Sequence, residues 1–297
     1  MNLTGLHLLL TYRCNYQCDH CFVWSGPRAV AKHLTVDEIE EILHQAVRLG
    51  TVNTIYFEGG EPFLHPAILT QGIELASLFG FRTGIVSNCF WAVDATKARE
   101  RLIPLVEAGL DMADLSVDSM HGGDEGVRRA QNAVTAARAL GLAPGTISTE
   151  RPENGRDYPS GQGGAVMFRG RAAVRLADRV PHQPWQGFTT CPHEKLADPA
   201  RVHVDPFGNV HLCQGLLLGN LFEQPLRQMV ADYQPKDHPI VGPLLDRGPV
   251  GLVERYGLPH AGGYADACHL CYTARQHLRG RFPKTLGPGH IYGEKSI

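Results

Sequence analysis

The chain has 297 residues, of which 43% are hydrophobic and 20% charged, a composition typical of a globular protein and not of a disordered one. Its 28 Lys and Arg residues against 30 Asp and Glu give a net charge of −2, which excludes a strongly basic surface for nucleic acid or anionic lipid. No apolar run reaches the roughly 20 residues that span a bilayer, and the N-terminus shows no signal-peptide pattern. We therefore expect a cytoplasmic protein with no membrane or nucleic-acid partner.

The first half of the chain alternates short apolar segments with amphipathic ones. Six segments bounded by Gly, Asn or Asp are predicted strands: Leu6–Thr11, Thr54–Glu58, Thr83–Ser87, Asp114–Asp118, Gly145–Thr149 and Ala165–Phe168. Helices are predicted from a capping box at Thr35 to Gly50, and over Pro66–Phe79, Asp94–Ala108 and Gly123–Leu140. This alternation indicates parallel strands joined by helices. Because six strands are too few for a closed eight-stranded barrel, the predicted fold is α/β, a partial (β/α)6 TIM-like barrel.

The alternation fades near residue 180, and the following segment is rich in Cys, His, Pro and Gly. We predict a partial barrel over residues 1–180 and a small metal-stapled domain over residues 181–297. Glu150–Gly164 is predicted to be a loop over the barrel face. Val202–Val204 and Val210–Leu212 are predicted to form a hairpin around a Pro/Gly turn.

Eight cysteines in a protein of this size indicate metal or redox chemistry, because a large core needs no disulfides and the cytosol keeps thiols reduced. Cys14, Cys18 and Cys21 follow the first predicted strand directly. Three thiolates leave one position open, either on a zinc ion that takes a fourth ligand such as His20 or His33, or on an iron–sulfur cluster with one free iron.

The second predicted strand ends in Gly59-Gly60-Glu61-Pro62, and this motif follows the C-x3-C-x2-C triplet in order. The two motifs together resemble those of the radical S-adenosylmethionine (radical SAM) superfamily, with His20 at the position of an aromatic residue. The resemblance implies that Cys14, Cys18 and Cys21 hold a [4Fe-4S] cluster that binds SAM. It further implies SAM contacts at Gly59, Gly60, Glu61, Pro62, Ser87, Asn88, Ser116, Asp118 and Phe22. Ordinary roles in turns and caps stay open for the four polar residues, as does plain core packing for Phe22.

Four further cysteines lie late in the chain: Cys191, Cys213, Cys268 and Cys271. Their spacing, and the Arg169–Ala173 segment before them, resemble the twitch domain, a short form of the SPASM domain. That resemblance implies one auxiliary [4Fe-4S] cluster in a small C-terminal iron–sulfur-binding domain, while a four-cysteine zinc ribbon stays open. His193, His211 and His269 are expected to be hydrogen-bonding or packing neighbours of these ligands. Cys89 is expected to be buried and inert.

The resemblance implies an enzyme that cleaves SAM reductively and abstracts hydrogen from a substrate C–H bond. A fully ligated auxiliary cluster favours an oxidation in which it accepts an electron, and a small-molecule substrate is expected because only 13 residues precede Cys14. Flavodoxin or ferredoxin is the expected electron donor. Glu58, His121 and Arg169 lie near predicted strand ends, and none is assigned as the base. Maturation of a ribosomal peptide is the alternative activity, and a non-catalytic electron carrier or zinc scaffold is the alternative class.

Overall fold

The computed structural model describes residues 1–152 and 164–294. Its strands are β1 Gly5–Leu9, β2 Thr54–Glu58, β3 Arg82–Ser87, β4 Met112–Ser116, β5 Gly145–Ile147, β6 Gln183–Pro184, β7 Arg201–Val204, β8 Asn209–Cys213, β9 Leu216–Asn220 and β10 Gly263–Tyr264. Its α-helices are α1 Val36–Leu49, α2 Pro66–Leu78, α3 Ala95–Glu107, α4 Gly123–Ala139, α5 Arg171–Arg175, α6 Leu226–Asp232, α7 Val241–Tyr256 and α8 Ala267–Leu278.

One open sheet of eight strands organises the molecule, in the order β5-β4-β3-β2-β1-β7-β8-β9. The first six strands in this order run parallel to one another. The last two, β8 and β9, extend the sheet beyond β7 with antiparallel pairing. The β7–β8 hairpin is the one predicted from the sequence. The predicted α/β fold with a partial barrel is confirmed, because the described sheet is mostly parallel and does not close.

The helices between the parallel strands form where the sequence predicts them. Thr35 caps α1 through a complete capping box with Glu38, and Gly50 ends the helix in the left-handed conformation at φ 80°. Buried apolar residues of α1 pack against the sheet as part of the main core. The helices therefore place successive strands side by side with their carboxyl ends at one edge.

The predicted strand Ala165–Phe168 is wrong. Residues 165–169 have no strand pairing, and Val166 and Phe168 instead pack in a separate apolar cluster with Met120 and Ala172. Phe168 N–H donates to Asp266 Oδ2 at 3.2 Å, so even its backbone bond goes to a side chain. A short apolar segment can be buried in a side-chain cluster as well as in a sheet. The sixth parallel strand of the sheet is instead β7, which pairs with β1.

Further boundaries differ from the predictions: β1 ends at Leu9 and not at Thr11, and β5 ends at Ile147 and not at Thr149. The fourth strand, β4, lies two residues earlier than predicted, so Asp118 falls in the turn after it. The main sheet continues past residue 180, since β7, β8 and β9 extend the same sheet as β1. Most of the predicted loop Glu150–Gly164, residues 153–163, lies outside the described residues. In the described parts of the chain, no helix has both the length and the apolar character that crossing a membrane requires.

Candidate functional site

A cavity of about 250 Å³ lies at the carboxyl ends of β1 to β5. Each of these strands brings one or more residues to its wall, and the segment around Met167 adds the remaining side. Most of the predicted site residues meet here: Cys14, Cys18, Cys21, Phe22, Gly59, Gly60, Ser87, Asn88 and Ser116. The parallel sheet thus collects residues from distant parts of the sequence at one edge, where α/β proteins usually bind ligands.

The three N-terminal cysteines form no disulfide within the described part of the chain and line this cavity together. The sulfur of Cys14 accepts from the Tyr16 N–H and from Asn88 Nδ2, both at 3.4 Å, and the sulfur of Cys21 accepts from the Ser25 N–H at 3.3 Å. Burial raises the pKa of the Cys14 thiol to about 12. A thiolate here therefore needs a compensating cation, and the iron of a cluster supplies that charge. The donor set fits a three-cysteine cluster site.

Gly59 and Gly60 fasten this cysteine loop to the sheet. Gly60 N–H donates to Thr11 O at 2.7 Å, and Glu61 N–H donates to Arg13 O at 3.0 Å. A Cβ on Gly60 would lie 2.0 Å from Arg13 O, so only glycine lets the two backbones approach this closely. The Gly-Gly-Glu-Pro motif thereby sets the position of the segment that leads directly into Cys14.

Glu61 is fully buried and bonds inside the protein. Its carboxylate accepts from Ser87 Oγ at 2.9 Å, from Asn88 N–H at 2.9 Å and from Phe63 N–H at 3.1 Å. Burial raises the pKa of Glu61 to about 7, against the lowering effect of these donors. Glu61 thus ties the end of β2 to the end of β3, and it is absent from the cavity wall.

We expect Glu61→Gln to lower the free energy of unfolding by about 1–3 kcal/mol, because the new amide N–H would face the donors that the carboxylate now accepts. Guanidinium unfolding of the reconstituted protein measures this change. Glu100→Gln is the matched control, since Glu100 forms an exposed ion pair with Lys97 that contributes little. Equal shifts for the two variants would contradict the bracing role of Glu61.

The remaining predicted SAM-contact residues, Pro62 and Asp118, do not line the cavity. Pro62 is buried at the start of a 3-10 helix, Pro62–Leu64, and does not line the cavity. Asp118 also lies behind the wall, where it accepts from Met120 N–H and Thr149 N–H at 3.0 Å and contacts His121 Nδ1 at 2.9 Å. Its bonds orient His121, which does line the cavity.

The four late cysteines converge on a second site of their own. Cys191, Cys213, Cys268 and Cys271 line one small cavity together with His193 and Glu194. Cys268 and Cys271 lie in the first turns of α8, whose N-cap Asp266 accepts from the His269 N–H at 2.7 Å. The N-terminal end of a helix favours negative charge, which suits a cysteine-bound metal or cluster. Four thiols with no fifth cysteine nearby fit a closed ligand set.

Two buried arginines flank these four thiols, and neither is predicted to belong to the site from the sequence. Arg169 Nη1 lies 3.3 Å from Cys213 Sγ and 3.1 Å from Glu194 Oε1. Arg275 donates from Nη1 to Gln214 O at 2.8 Å, and its positive charge opposes the burial that raises the pKa of Cys271 to about 12. Arg275 follows Cys271 by four residues in α8, so the shared helix face was the available signal.

The segment Arg169–Arg171 connects the two cysteine sites. Arg169 lines both cavities, and its guanidinium lies 5.0 Å from the ring centroid of Phe22. Arg171 turns the other way and donates to Cys18 O at 2.6 Å and to Ser25 O at 2.5 Å. Gly170 allows this reversal at φ 59°, where a Cβ would lie 2.4 Å from Phe22 O.

Two of the three nearby histidines have hydrogen-bond partners, and Cys89 is buried, while the roles expected for these residues stay predictions. His211 is fully buried, lies 3.3 Å from Asp205 Oδ2 and accepts from the Gly215 N–H at 3.1 Å. His269 accepts from the Ala265 N–H at 3.2 Å. Cys89 is fully buried at φ 62° and does not line the cavity.

Residues 8–149 match the model of the Radical SAM superfamily. Over 112 residues the chain is 28% identical to the "Putative peptide biosynthesis protein YydG" of Bacillus subtilis, covering 38% of this chain and 35% of that one. Over 119 residues it is 32% identical to the "Probable GTP 3',8-cyclase" of Thermococcus kodakarensis, covering 40% and 36%. The chain therefore spans only about a third of the length of these two curated relatives.

The crystal structure of BtrN in complex with AdoMet and 2-DOIA has a similar fold. The two structures superpose with a TM-score of 0.52 at 16% sequence identity, covering 76% of this chain and 81% of BtrN. At this identity the likeness concerns the fold alone. The fold, the convergence of the first three cysteines with the Gly-Gly-Glu-Pro turn, and the family match agree with one another. Residues 8–149 of this chain therefore resemble a Radical SAM domain.

Proposed function

We propose that this protein is a radical SAM enzyme that oxidises a small molecule and uses an auxiliary cluster as electron acceptor. The observation that carries the proposal is the position of Arg169, which lines the first cavity and contacts Cys213 of the second cysteine site. Since one side chain separates the two sites, an electron that leaves a bound substrate has a short route to the second site.

The first site would hold a [4Fe-4S] cluster at Cys14, Cys18 and Cys21, with SAM beside it. When bound, this cofactor pair supplies a 5′-deoxyadenosyl radical that abstracts hydrogen from a C–H bond. The chain's own residues set the geometry of that site: Arg171 holds the cysteine loop through Cys18 O, and Glu61 holds Ser87 and Asn88 at the wall. Such bracing positions the reacting groups and limits the access of water.

The second site would hold an auxiliary [4Fe-4S] cluster at Cys191, Cys213, Cys268 and Cys271. With four thiolates it offers no open iron, so its role is electron transfer and not substrate binding. The guanidiniums of Arg169 and Arg275 bring two positive charges next to four negative thiolates, which favours holding an added electron. A reduced flavodoxin or ferredoxin would supply the electron that the cluster at the first site needs.

The test is anaerobic incubation of the reconstituted protein with SAM and dithionite, with 5′-deoxyadenosine measured by chromatography. We expect 5′-deoxyadenosine to form, since uncoupled SAM cleavage needs no substrate. Its absence from a preparation that contains iron and sulfide would favour the other class of protein, a non-catalytic electron carrier or a zinc scaffold.

A peptide substrate is the second candidate, and the relative named for peptide biosynthesis favours it. The two candidates differ in what the cavity must admit, because a peptide needs an open groove and a small molecule an enclosed pocket. Incubation with a pool of polyols and aminocyclitols in deuterated form separates them. Deuterium in 5′-deoxyadenosine from one of these compounds would support the small-molecule proposal, and its absence from all of them would favour a peptide.

A further inference from the structure

Three polar side chains lie inside the barrel on the strands themselves and not on the loops that carry the cysteines. They are His7 on β1, Glu58 on β2 and His203 on β7. His7 pairs in register with His203 and with Tyr56, and Glu58 lies two residues beyond Tyr56. Because side chains alternate between the two faces of a strand, these three share one face of the sheet.

Glu58 approaches both imidazoles at close to the spacing of two ligands on one ion. Glu58 Oε1 lies 3.1 Å from His203 Nε2 and 3.5 Å from His7 Nδ1. All three ligand atoms lie within 4.8 Å of one another. Two atoms that each lie about 2.1 Å from one metal ion, at tetrahedral to octahedral angles, are about 3.0–3.4 Å apart.

Two of these atoms, Glu58 Oε1 and His7 Nδ1, are buried and form no hydrogen bond of good geometry with the described residues. Their close contacts are with each other and, for Glu58 Oε1, with His203 Nε2. Buried polar atoms are nearly always paired, so an unpaired carboxylate oxygen facing an unpaired imidazole nitrogen indicates a missing group between them. The His7 ring is stacked on Tyr56 at 4.7 Å, which orients its nitrogen toward Glu58.

The cluster of His20, Asp118 and His121 has similar spacing but differs in this respect. The Asp118 carboxylate there is already occupied by His121 and two backbone N–H groups. An ion at that place would have to displace existing bonds. At Glu58 Oε1 an ion would displace no backbone N–H bond from the described residues, because the close contacts there are the His7 and His203 nitrogens that would share the ion.

We propose that His7, Glu58 and His203 bind one divalent transition-metal ion, distinct from both cysteine sites. Two imidazoles and one carboxylate suit zinc, iron(II) or manganese(II) and leave coordination positions free. Glu58 also lines the first cavity and precedes Gly59. A free position on the ion would therefore be available to a hydroxyl or amine of a bound molecule.

Manganese(II) binding to the reconstituted protein tests this inference without SAM or turnover. With the clusters oxidised and diamagnetic, the electron paramagnetic resonance signal of free manganese(II) decreases as the ion binds. We expect one site per chain, and we expect zinc(II) to displace the manganese because histidine-rich sites bind zinc more tightly. Because neither SAM nor substrate is present, failure here is distinguishable from failure of the proposed function.

The ligand variants are Glu58→Gln, His7→Gln and His203→Gln, and the matched control is His44→Gln on the exposed face of α1. We expect the ligand variants to bind manganese(II) at least roughly tenfold more weakly, with iron and sulfide content unchanged, and the control to match the wild type. If one variant folds poorly, the other two still show whether loss of a ligand weakens manganese(II) binding. Absence of a manganese site in the wild type, or equal binding by the ligand variants, would overturn the inference.

Discussion

Cys14→Ala is expected to reduce 5′-deoxyadenosine formation by at least about 100-fold, because three thiolates are the minimum that holds a cluster with one open iron. Cys14 is the most constrained of the triplet, with its sulfur accepting from Tyr16 N–H and Asn88 Nδ2. Alanine removes both the ligand and these bonds. The measurement is anaerobic SAM cleavage with dithionite, together with the iron content of the same sample.

Cys89→Ala is the matched control for this loss. Cys89 lies one residue after Asn88, is fully buried and does not line the cavity. Its backbone N–H donates to Ser87 Oγ at 3.1 Å, a bond that alanine preserves. We expect this variant to cleave SAM at a rate close to the wild type. Cleavage that survives in Cys14→Ala, or that is lost equally in Cys89→Ala, would contradict the assignment of the first cluster.

Cys268→Ala is expected to lower the iron content from about eight to about four per chain, because it removes one of the four ligands of the auxiliary site. The first site does not use Cys268, so 5′-deoxyadenosine formation should persist while substrate oxidation is lost. Iron, sulfide and zinc measured on one anaerobic preparation distinguish the possible contents of the second site.

The metal content of the wild type and the activities of Cys268→Ala together decide the role of the second site. If the wild type contains about four irons and one zinc per chain, the second site is structural and the proposed oxidation has no electron acceptor. Parallel loss of SAM cleavage and substrate oxidation would show that the second site supports the fold instead. Ser119→Ala is a control for handling, since Ser119 is exposed and belongs to neither cysteine site.

Local patterns in the sequence predicted the helices and most of the parallel strands. The Thr35 capping box and Gly50 delimit α1, and the apolar run Thr54–Glu58 is a strand with those bounds. These features depend on residues close together in the chain, so the sequence contains the necessary information. The first cysteine site is predictable for the same reason, because its three cysteines lie on one short loop.

Partners distant in the chain were not predictable in the same way. Ala165–Phe168 is as apolar as a strand but packs in a side cluster, and β7 takes the sixth parallel position beside β1. Both segments carry two buried apolar side chains, and only the tertiary packing decides which of them pairs with β1. Likewise, Glu61 is predicted to contact SAM, while its partners in the structure are Ser87, Asn88 and Phe63.

The sequence by itself determined the element types, the two cysteine sets and the Gly-Gly-Glu-Pro turn, because spacing along the chain defines each of them. Only the tertiary structure decided that Arg169 lies between the two cysteine sites, and that His7, Glu58 and His203 meet inside the barrel. Those contacts join strands and loops separated by tens of residues or more. Sheet register and burial create them, and no local pattern encodes either one.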